Sequence, residues 1–174
     1  VTLGAHTGIG TVPIVWYGNE DQKKKYLPKI ASGEWIAAYA LTEPNAGSDA
    51  LNGESTATLS DDGKHYILNG QKIYITNGSW ASVCVTFAKV DGKMTGFILD
   101  KNCEGWVIGA EEKKMGIKGS STVTFYYEDC MVPIENVLGK VGEGGPIAFN
   151  VLYVGRYKLG VTTAGGAKFV LNGA

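Results

Sequence analysis

Two short loops carry the side chains whose types and spacing could bind a ligand. The first is TEPNAGSD, residues 42–49, which directly follows the apolar run WIAAYAL. It places hydroxyl groups at Thr42 and Ser48, and Gly47 removes a side chain next to Ser48. Such a loop can present hydroxyls and backbone N–H groups to a planar heteroaromatic ring or to a phosphate. The alternative is an ordinary polar turn, in which these residue types are common.

The second loop lies at the end of KIYITNG, where an alternating strand pattern stops at Thr76, Asn77 and Gly78. Thr42 and Thr76 would each finish a strand, and two neighbouring strand ends of this kind could hold one flat ligand by its edge. A threonine at a strand end is also a frequent turn residue. The pattern alone therefore leaves a ligand site and a plain turn both open.

The titratable side chains show no arrangement typical of catalysis. His6 and His65 have no partners at metal-ligand spacing, so we expect both to be structural. The carboxylates show no paired, buried general-base setting, and we expect surface or turn positions for all of them: Glu43, Asp49, Glu111 and Glu112.

Composition narrows the class of protein. The chain has 174 residues, of which 44% are hydrophobic and 19% charged, as in a soluble globular domain or a piece of a larger protein. Its net charge is −1 and no basic stripe stands out, which argues against nucleic acid as a partner. No apolar run reaches the roughly 18 residues that a membrane span needs. The opening VTLGAHTGIG has neither Met nor a helix cap, and we read both ends as cuts in a larger protein.

Three cysteines indicate the redox environment. Cys84, Cys103 and Cys130 are odd in number, far apart and without CxxC spacing. We expect buried thiols in a reducing compartment rather than a disulfide framework or a zinc site.

Periodicity predicts helices at both ends of the chain and strands between them. A glycine-punctuated helix over 1–16 precedes a helix that begins with a capping box, Asn19 and Gln22, and is limited or kinked by Pro28. A third helix of about seven turns should start at Pro146. Its four glycines (155, 160, 165 and 166) suggest close packing against other helices. Short β-type runs fill the middle, at 35–41, 55–59, 65–68, 72–75, 82–90, 95–99, 105–108 and 122–127.

Turn dipeptides predict how these strands connect. Asn69-Gly70 and Asp91-Gly92 are strong hairpin signals, because both turn positions favour positive φ. We therefore expect Asn69-Gly70 to join two separate strands, and residues 34–137 to form one antiparallel sheet, closed or nearly closed into a barrel. The glycine-bearing MGIKGSST, residues 115–122, reads as a connection between strands and not as a contact site.

Taken together, these stretches resemble the acyl-CoA dehydrogenase family. ALTEPNAGSD, NGQKIYITNG and KKMGIKGSSTVTFYYEDCMVPIENVLG occur in the family's order and spacing, and KKYLPKIASGE and VGRYKLG extend the resemblance over essentially the whole chain. The resemblance implies an α+β fold, an antiparallel, partly open β-barrel flanked by helical segments. Residues 1–33 would end an N-terminal helical domain, 34–137 would form the middle β-barrel domain, and 138–174 would begin a C-terminal helical domain.

The resemblance also assigns cofactor contacts, with FAD as the cofactor. Thr42 matches a residue that bonds the flavin's pyrimidine side, with Tyr39 and Leu41 beside it, and Thr76 matches the hydroxyl that reaches flavin N5. The flavin-facing set implied by the family is Tyr39, Leu41, Thr42, Gly47, Ser48, Tyr74, Ile75 and Thr76. Tyr74 departs from the family pattern, since many members have Trp there.

Substrate contacts follow from the same resemblance. Ser48 matches a residue that bonds the CoA arm, and Arg156 matches an arginine near the pantetheine. Tyr153 stands where relatives tend to have Asn or Asp in contact with CoA. The family's catalytic glutamate lies beyond residue 174 in most members, so we expect no catalytic residue in this chain and no activity from it alone.

The implied function is FAD-dependent α,β-dehydrogenation of fatty acyl-CoA thioesters to trans-2-enoyl-CoA in fatty-acid β-oxidation. The implied partners are the acyl-CoA, an electron-transfer flavoprotein or similar acceptor, and further copies of the full-length protein. The implied location is the bacterial cytoplasm or, for a eukaryotic source, the mitochondrial matrix. Two alternatives stay open: an acyl-CoA oxidase or other flavoprotein of the same superfamily, and a non-catalytic acyl-CoA-binding barrel.

Overall fold

A computed structural model describes residues 1–173. The first part of the chain is helical, with α1 over Thr2–Ala5, a wider π-type turn over His6–Gly10, α2 over Val12–Tyr17 and α3 over Glu20–Ala31. The predicted capping box of α3 is confirmed: the Asn19 side chain accepts from the Gln22 amide, and the Gln22 side chain accepts from the Asn19 amide. Pro28 lies inside α3, which continues to Ala31.

Eight strands form one sheet. Their bounds are β1 Ile36–Ala40, β2 Thr56–Leu59, β3 His65–Thr76, β4 Ala81–Val90, β5 Lys93–Asp100, β6 Trp106–Glu111, β7 Thr122–Pro133 and β8 Val137–Leu138. The order across the sheet is β6-β7-β3-β2-β4-β5-β8, and β1 pairs with β4 off this path. The expected α+β class is thereby confirmed, with a sheet that does not close into a barrel.

The sheet is mixed, whereas the sequence pattern predicted only antiparallel pairing. β1 runs parallel to β4, with Tyr39 opposite Val85, and β2 meets β4 in a single parallel pair. Parallel neighbours need a connection of a dozen or more residues. Between β1 and β4 the chain runs through the loop at residues 42–49 and the β2–β3 hairpin, which together are long enough for a parallel connection.

The hairpin predicted at Asn69-Gly70 is wrong. β3 runs unbroken from His65 to Thr76 and pairs along its length with β7, a strand far away in the sequence. Gly70 has a φ of +146° and sits where the β3–β7 register shifts, so the glycine serves a bulge within a strand. The hairpin predicted at Asp91-Gly92 is confirmed, because both residues have positive φ and Val90 pairs with Lys93.

The core has two parts, which lie on opposite faces of β1. Tyr39 and Leu41 pack with the helices, whereas Ala38 and Ala40 pack inside the sheet with residues such as Phe125. This period of two is what a strand buried on both faces requires, and it explains why β1 reads as an unbroken apolar run. The predicted buried thiols are confirmed, since Cys84, Cys103 and Cys130 are all free and buried.

The last helix, α4, spans Gly144–Gly173 and lies against the sheet only at its beginning. Ile147, Ala148 and Val151 are buried, and most later residues are exposed. Of the four glycines predicted to pack closely, Gly155 approaches Ile9, while the other three have no neighbouring atom within 4 Å in the described part of the chain. No helix within residues 1–173 is both long and apolar enough to cross a membrane.

Candidate functional site

A cleft of about 260 Å³ opens where β1, the loop after it, the end of β3 and the beginning of α4 meet. All nine residues that the sequence pointed to lie on its wall: Tyr39, Leu41, Thr42, Gly47, Ser48, Tyr74, Ile75, Thr76 and Arg156. The structure therefore brings the two loops and the distant arginine together. What these residues bind stays a prediction.

The two threonines reach the cleft because their strand ends are joined through the backbone. The amide of Ile73 donates a hydrogen bond of 2.9 Å to the carbonyl oxygen of Thr42. Within the described residues, the hydroxyls of Thr42, Ser48 and Thr76 have no protein hydrogen-bond partner. Three hydroxyls on one wall are thus available to a ligand.

A second bulge shapes the end of β3. The β3–β7 register shifts between Lys72 and Ile75, and Tyr74 within this shift has a φ of +59°. Positive φ is rare for a bulky residue, and bulges are common beside binding sites because they re-aim side chains. The tyrosine ring is 65% exposed at the cleft, while Ile75 after it is buried.

The inner wall of the cleft is apolar and firmly held. Tyr39 is buried, its hydroxyl donates to the carbonyl oxygen of Ala148 in α4 at 3.3 Å, and its ring packs edge-on against Phe87. Burial raises the pKa of the Tyr39 phenol far above its ordinary value, so the group is a neutral donor. Leu41 is 7% exposed and completes this wall.

Five lining residues were not found from the sequence: Ala5, Ile9, Ala50, Phe149 and Leu152. The last two share a helix face with Arg156, since 149, 152 and 156 follow the i, i+3, i+7 spacing of α4. This helical spacing from Arg156 could have identified Phe149 and Leu152 as lining residues from the sequence. Arg156 itself is exposed, with its guanidinium 5.4 Å from the Tyr153 ring centroid.

A second, mostly apolar cavity of about 450 Å³ adjoins the cleft. It lies between the N-terminal helical segment and α4, and it shares Ala5, Ile9 and Thr76 with the cleft. Its other walls are mainly valines, glycines and a leucine. A polar cleft that continues into an apolar cavity suits a ligand with a polar head and a hydrocarbon tail.

Glu43 begins a turn, as expected, since its backbone exchanges hydrogen bonds with that of Ala46, but its side chain is not at the surface. Its carboxylate is 3% exposed and forms an ion pair of 2.5 Å with the fully buried Lys72. Burial works against ionisation of Glu43, but the Lys72 ammonium and the hydrogen bonds from Ser55 and Glu54 outweigh it, so the pKa of Glu43 lies below its ordinary value. Lys72 is 29 residues away in the chain, which is why no local pattern revealed the pair.

The positions expected for Asp49, Glu111 and His6 are confirmed, and Glu112 is half-buried. Asp49 and Glu111 are exposed, and Glu111 accepts hydrogen bonds from Ser79 and from the amide of Thr122. His6 is a structural residue: its ring accepts from the Ala37 amide and bonds the Ile30 carbonyl oxygen.

Comparison with known proteins defines the family. The model for the acyl-CoA dehydrogenase middle domain matches residues 38–130, and the model for the acyl-CoA dehydrogenase N-terminal domain matches residues 1–34. The first of these covers more than half of the chain. The chain therefore belongs to the acyl-CoA dehydrogenase family.

Individual relatives agree with this assignment. A probable acyl-CoA dehydrogenase of Bacillus subtilis is 57% identical over 98% of the chain, and the mitochondrial very long-chain specific acyl-CoA dehydrogenase of Rattus norvegicus is 45% identical over 98%. The crystal structure of an acyl-CoA dehydrogenase complexed with FAD from Bacillus anthracis is 58% identical over 96% of the chain, with a TM-score of 0.94. The chain spans 28–29% of the length of these relatives.

Proposed function

We propose that this chain is the middle part of a longer FAD-dependent acyl-CoA dehydrogenase, which converts a fatty acyl-CoA thioester to the trans-2-enoyl-CoA. The observation that carries the proposal is the meeting of Thr42, Ser48, Thr76 and Arg156 at one cleft, beside an apolar cavity. The FAD named for the relative from Bacillus anthracis supports the same cofactor here.

The cleft's chemistry fits a flavin. A flavin has a flat apolar face and a polar edge, and the cleft offers Tyr39, Leu41 and Ile75 as an apolar wall with the Thr42 and Thr76 hydroxyls as free donors. Thr42, Thr76 and the residues beside them would hold the ring edge. When bound, FAD supplies the acceptor for the hydride that leaves the substrate's β-carbon.

The same cleft offers groups for the CoA thioester. Ser48 and Arg156 both line the cleft and are both exposed to solvent. They would offer a hydroxyl and a cation to the CoA arm where it enters the cleft. The adjoining cavity, lined by residues such as Ile9 and Leu159, would take the acyl chain and exclude water from it.

No lining residue of the cleft in the described part of the chain carries a carboxylate. We therefore assign the proton-abstracting base to the remainder of the longer protein, together with the contacts that pass electrons on to an electron-transfer flavoprotein or similar acceptor.

We also propose that the domains divide at residues 33 and 137 and that the full-length protein assembles through its remaining helical part. We further propose a role in fatty-acid β-oxidation and a place in the bacterial cytoplasm.

The test is anaerobic reduction of the full-length protein by a fatty acyl-CoA. We expect purified protein to carry FAD and the added thioester to bleach the flavin absorbance, with one enoyl-CoA formed per flavin reduced. Bleaching followed by rapid peroxide formation in air would instead indicate an oxidase of the same superfamily. Bound acyl-CoA without flavin or bleaching would indicate a non-catalytic binding protein.

A further inference from the structure

A buried ion pair lies behind the cleft without lining it. Lys72 Nζ and Glu43 Oε1 are 2.5 Å apart, and the two side chains are 0% and 3% exposed. Neither is among the residues that form the cleft wall. Buried ion pairs contribute little net stability, because removing two charges from water offsets most of their attraction. The contacts of this pair point to a role in geometry.

Lys72 holds Thr42 from both sides along the chain. Its ammonium donates to the carbonyl oxygen of Leu41 at 3.4 Å and to the carboxylate of Glu43. These are the residues directly before and after Thr42. The residue after Lys72 completes the arrangement, since the Ile73 amide bonds the Thr42 carbonyl oxygen.

The same lysine stands at the start of the bulge that carries Thr76 to the cleft. The β3–β7 register is regular from Gly70 to Lys72 and resumes at Ile75, with Tyr74 at positive φ between them. Fixing Lys72 therefore fixes the residue from which the bulge departs. One side chain thus links the end of β1 to the end of β3.

Glu43 extends the link to the loop that contains Ser48. Its carboxylate accepts hydrogen bonds from the backbone amides of Glu54 and Ser55, where the loop returns to the sheet. Gly53 permits this close return, because a Cβ there would lie 2.6 Å from the Glu43 carboxylate. The loop is therefore tied at its beginning and its end to the same ion pair.

We propose that Lys72 and Glu43 are positioning residues, which set the Thr42 hydroxyl at the distance from Thr76 that the flavin edge requires. The inference rests on the proposed function and adds to it two residues that touch neither cofactor nor substrate. An apolar pair of the same volume would fill the space, but it could not bind the Leu41 carbonyl oxygen or the two loop amides.

The test is a double-mutant cycle on FAD affinity in the full-length protein. The pair variant is Lys72→Met with Glu43→Gln, which removes both charges and leaves an oxygen for the loop amides. The cleft variant is Thr42→Val, which removes a hydroxyl and keeps the shape. The triple variant combines them. The matched control removes the exposed Lys23–Glu20 ion pair as Lys23→Met with Glu20→Gln.

If Lys72 and Glu43 act through Thr42, the effects must be non-additive. We expect the pair variant and the cleft variant each to weaken FAD binding about tenfold, a change of about 1.4 kcal/mol. The triple variant should bind within about twofold of the pair variant, because the hydroxyl has nothing left to contribute once it is misplaced. The control should bind FAD like the wild type.

An unchanged FAD affinity in the pair variant overturns the inference, and so does a triple variant weakened about a hundredfold, the additive result. If circular dichroism shows that the pair variant does not fold, Glu43→Gln alone enters the same cycle with the same two outcomes. A wild-type protein that binds no FAD overturns the proposed function as well, whereas a flavin-containing wild type with additive variants overturns only the role of the ion pair.

Discussion

The backbone amide of Ile73 donates a hydrogen bond of 2.9 Å to the carbonyl oxygen of Thr42. Together with the contacts of Lys72 to Leu41 and Glu43, this bond joins the segment after β1 to β3, and both Thr42 and Thr76 line one cleft. The candidate site therefore depends on contacts between two segments that are distant in the sequence and adjacent in the structure.

Replacing Thr76 by Val should weaken FAD binding about tenfold in the full-length protein. The change removes a free hydroxyl and keeps the branched shape, and one hydrogen bond contributes about 0.5–1.5 kcal/mol. The measurement is FAD titration followed by flavin fluorescence. Thr58→Val, on the exposed face of β2, is the matched control and should bind FAD normally. Equal affinities for both variants would rule out the role assigned to Thr76.

Gly70→Ala should destabilise the fold by about 3 kcal/mol. A Cβ at this position would lie 2.8 Å from the Ser55 Cα, and the φ of +146° disfavours any residue with a side chain. The control is Gly63→Ala, which also has positive φ but no atom within 4 Å of the added Cβ, and it should cost about 1 kcal/mol. Urea unfolding followed by tryptophan fluorescence measures both. Equal costs would show that the bulge tolerates a side chain.

Acid should weaken the fold partly through Glu43. Because its folded-state pKa lies below the ordinary value of 4.5, ionised Glu43 contributes stability above that pH. This contribution is lost as the pH falls from 4.5 through the lower folded-state pKa. The free energy of unfolding of Glu43→Gln should therefore fall less steeply in that range than that of the wild type.

The free energy of unfolding of Glu43→Gln should still decrease as the pH falls, because the pKa of Asp100 is also lowered. Burial opposes the ionisation of Asp100, but the hydrogen bond from the Asn102 amide and the nearby Lys25 ammonium outweigh that effect. Exposed Glu128→Gln is the control and should leave the slope unchanged. A slope in Glu43→Gln as steep as in the wild type would show that Glu43 does not carry this pH dependence.

The isolated 174-residue chain should neither dehydrogenate acyl-CoA nor retain FAD. Its cleft of about 260 Å³ falls below the roughly 300–1,000 Å³ typical of small-molecule sites, so it can enclose only part of a cofactor as large as FAD. Beyond its first turns α4 also exposes apolar residues such as Tyr157 and Phe169. Gel filtration with added FAD and a dye-coupled assay with an acyl-CoA test this. Turnover above the buffer blank would show that a residue of this chain acts as the base.

Local chemistry made part of the fold predictable. The capping box at Asn19 and the turn at Asp91-Gly92 involve residues close in sequence, and both were predicted. Asn69-Gly70 carries the same turn signal, yet it lies within a strand because β3 pairs along its whole length with distant β7. The dipeptide indicates that the glycine can adopt positive φ. Because turns and bulges both use this conformation, the dipeptide alone does not distinguish between them.

The candidate site divides in the same way. Its hydroxyls were recognisable because they follow strand patterns and match a family, and the lining residues Phe149 and Leu152 repeat at helical spacing with Arg156. The burial of Glu43 was not predicted, because it depends on Lys72 and nothing near Glu43 in the sequence indicates that partner.

The most direct test of the central claim is a crystal structure of the full-length protein with bound FAD. We predict that the edge of the flavin ring lies against Thr42 and Thr76, with each hydroxyl within about 3.2 Å of a ring nitrogen or oxygen, the upper range for such hydrogen bonds. A flavin ring bound elsewhere, with both threonine hydroxyls free of it, would contradict the account.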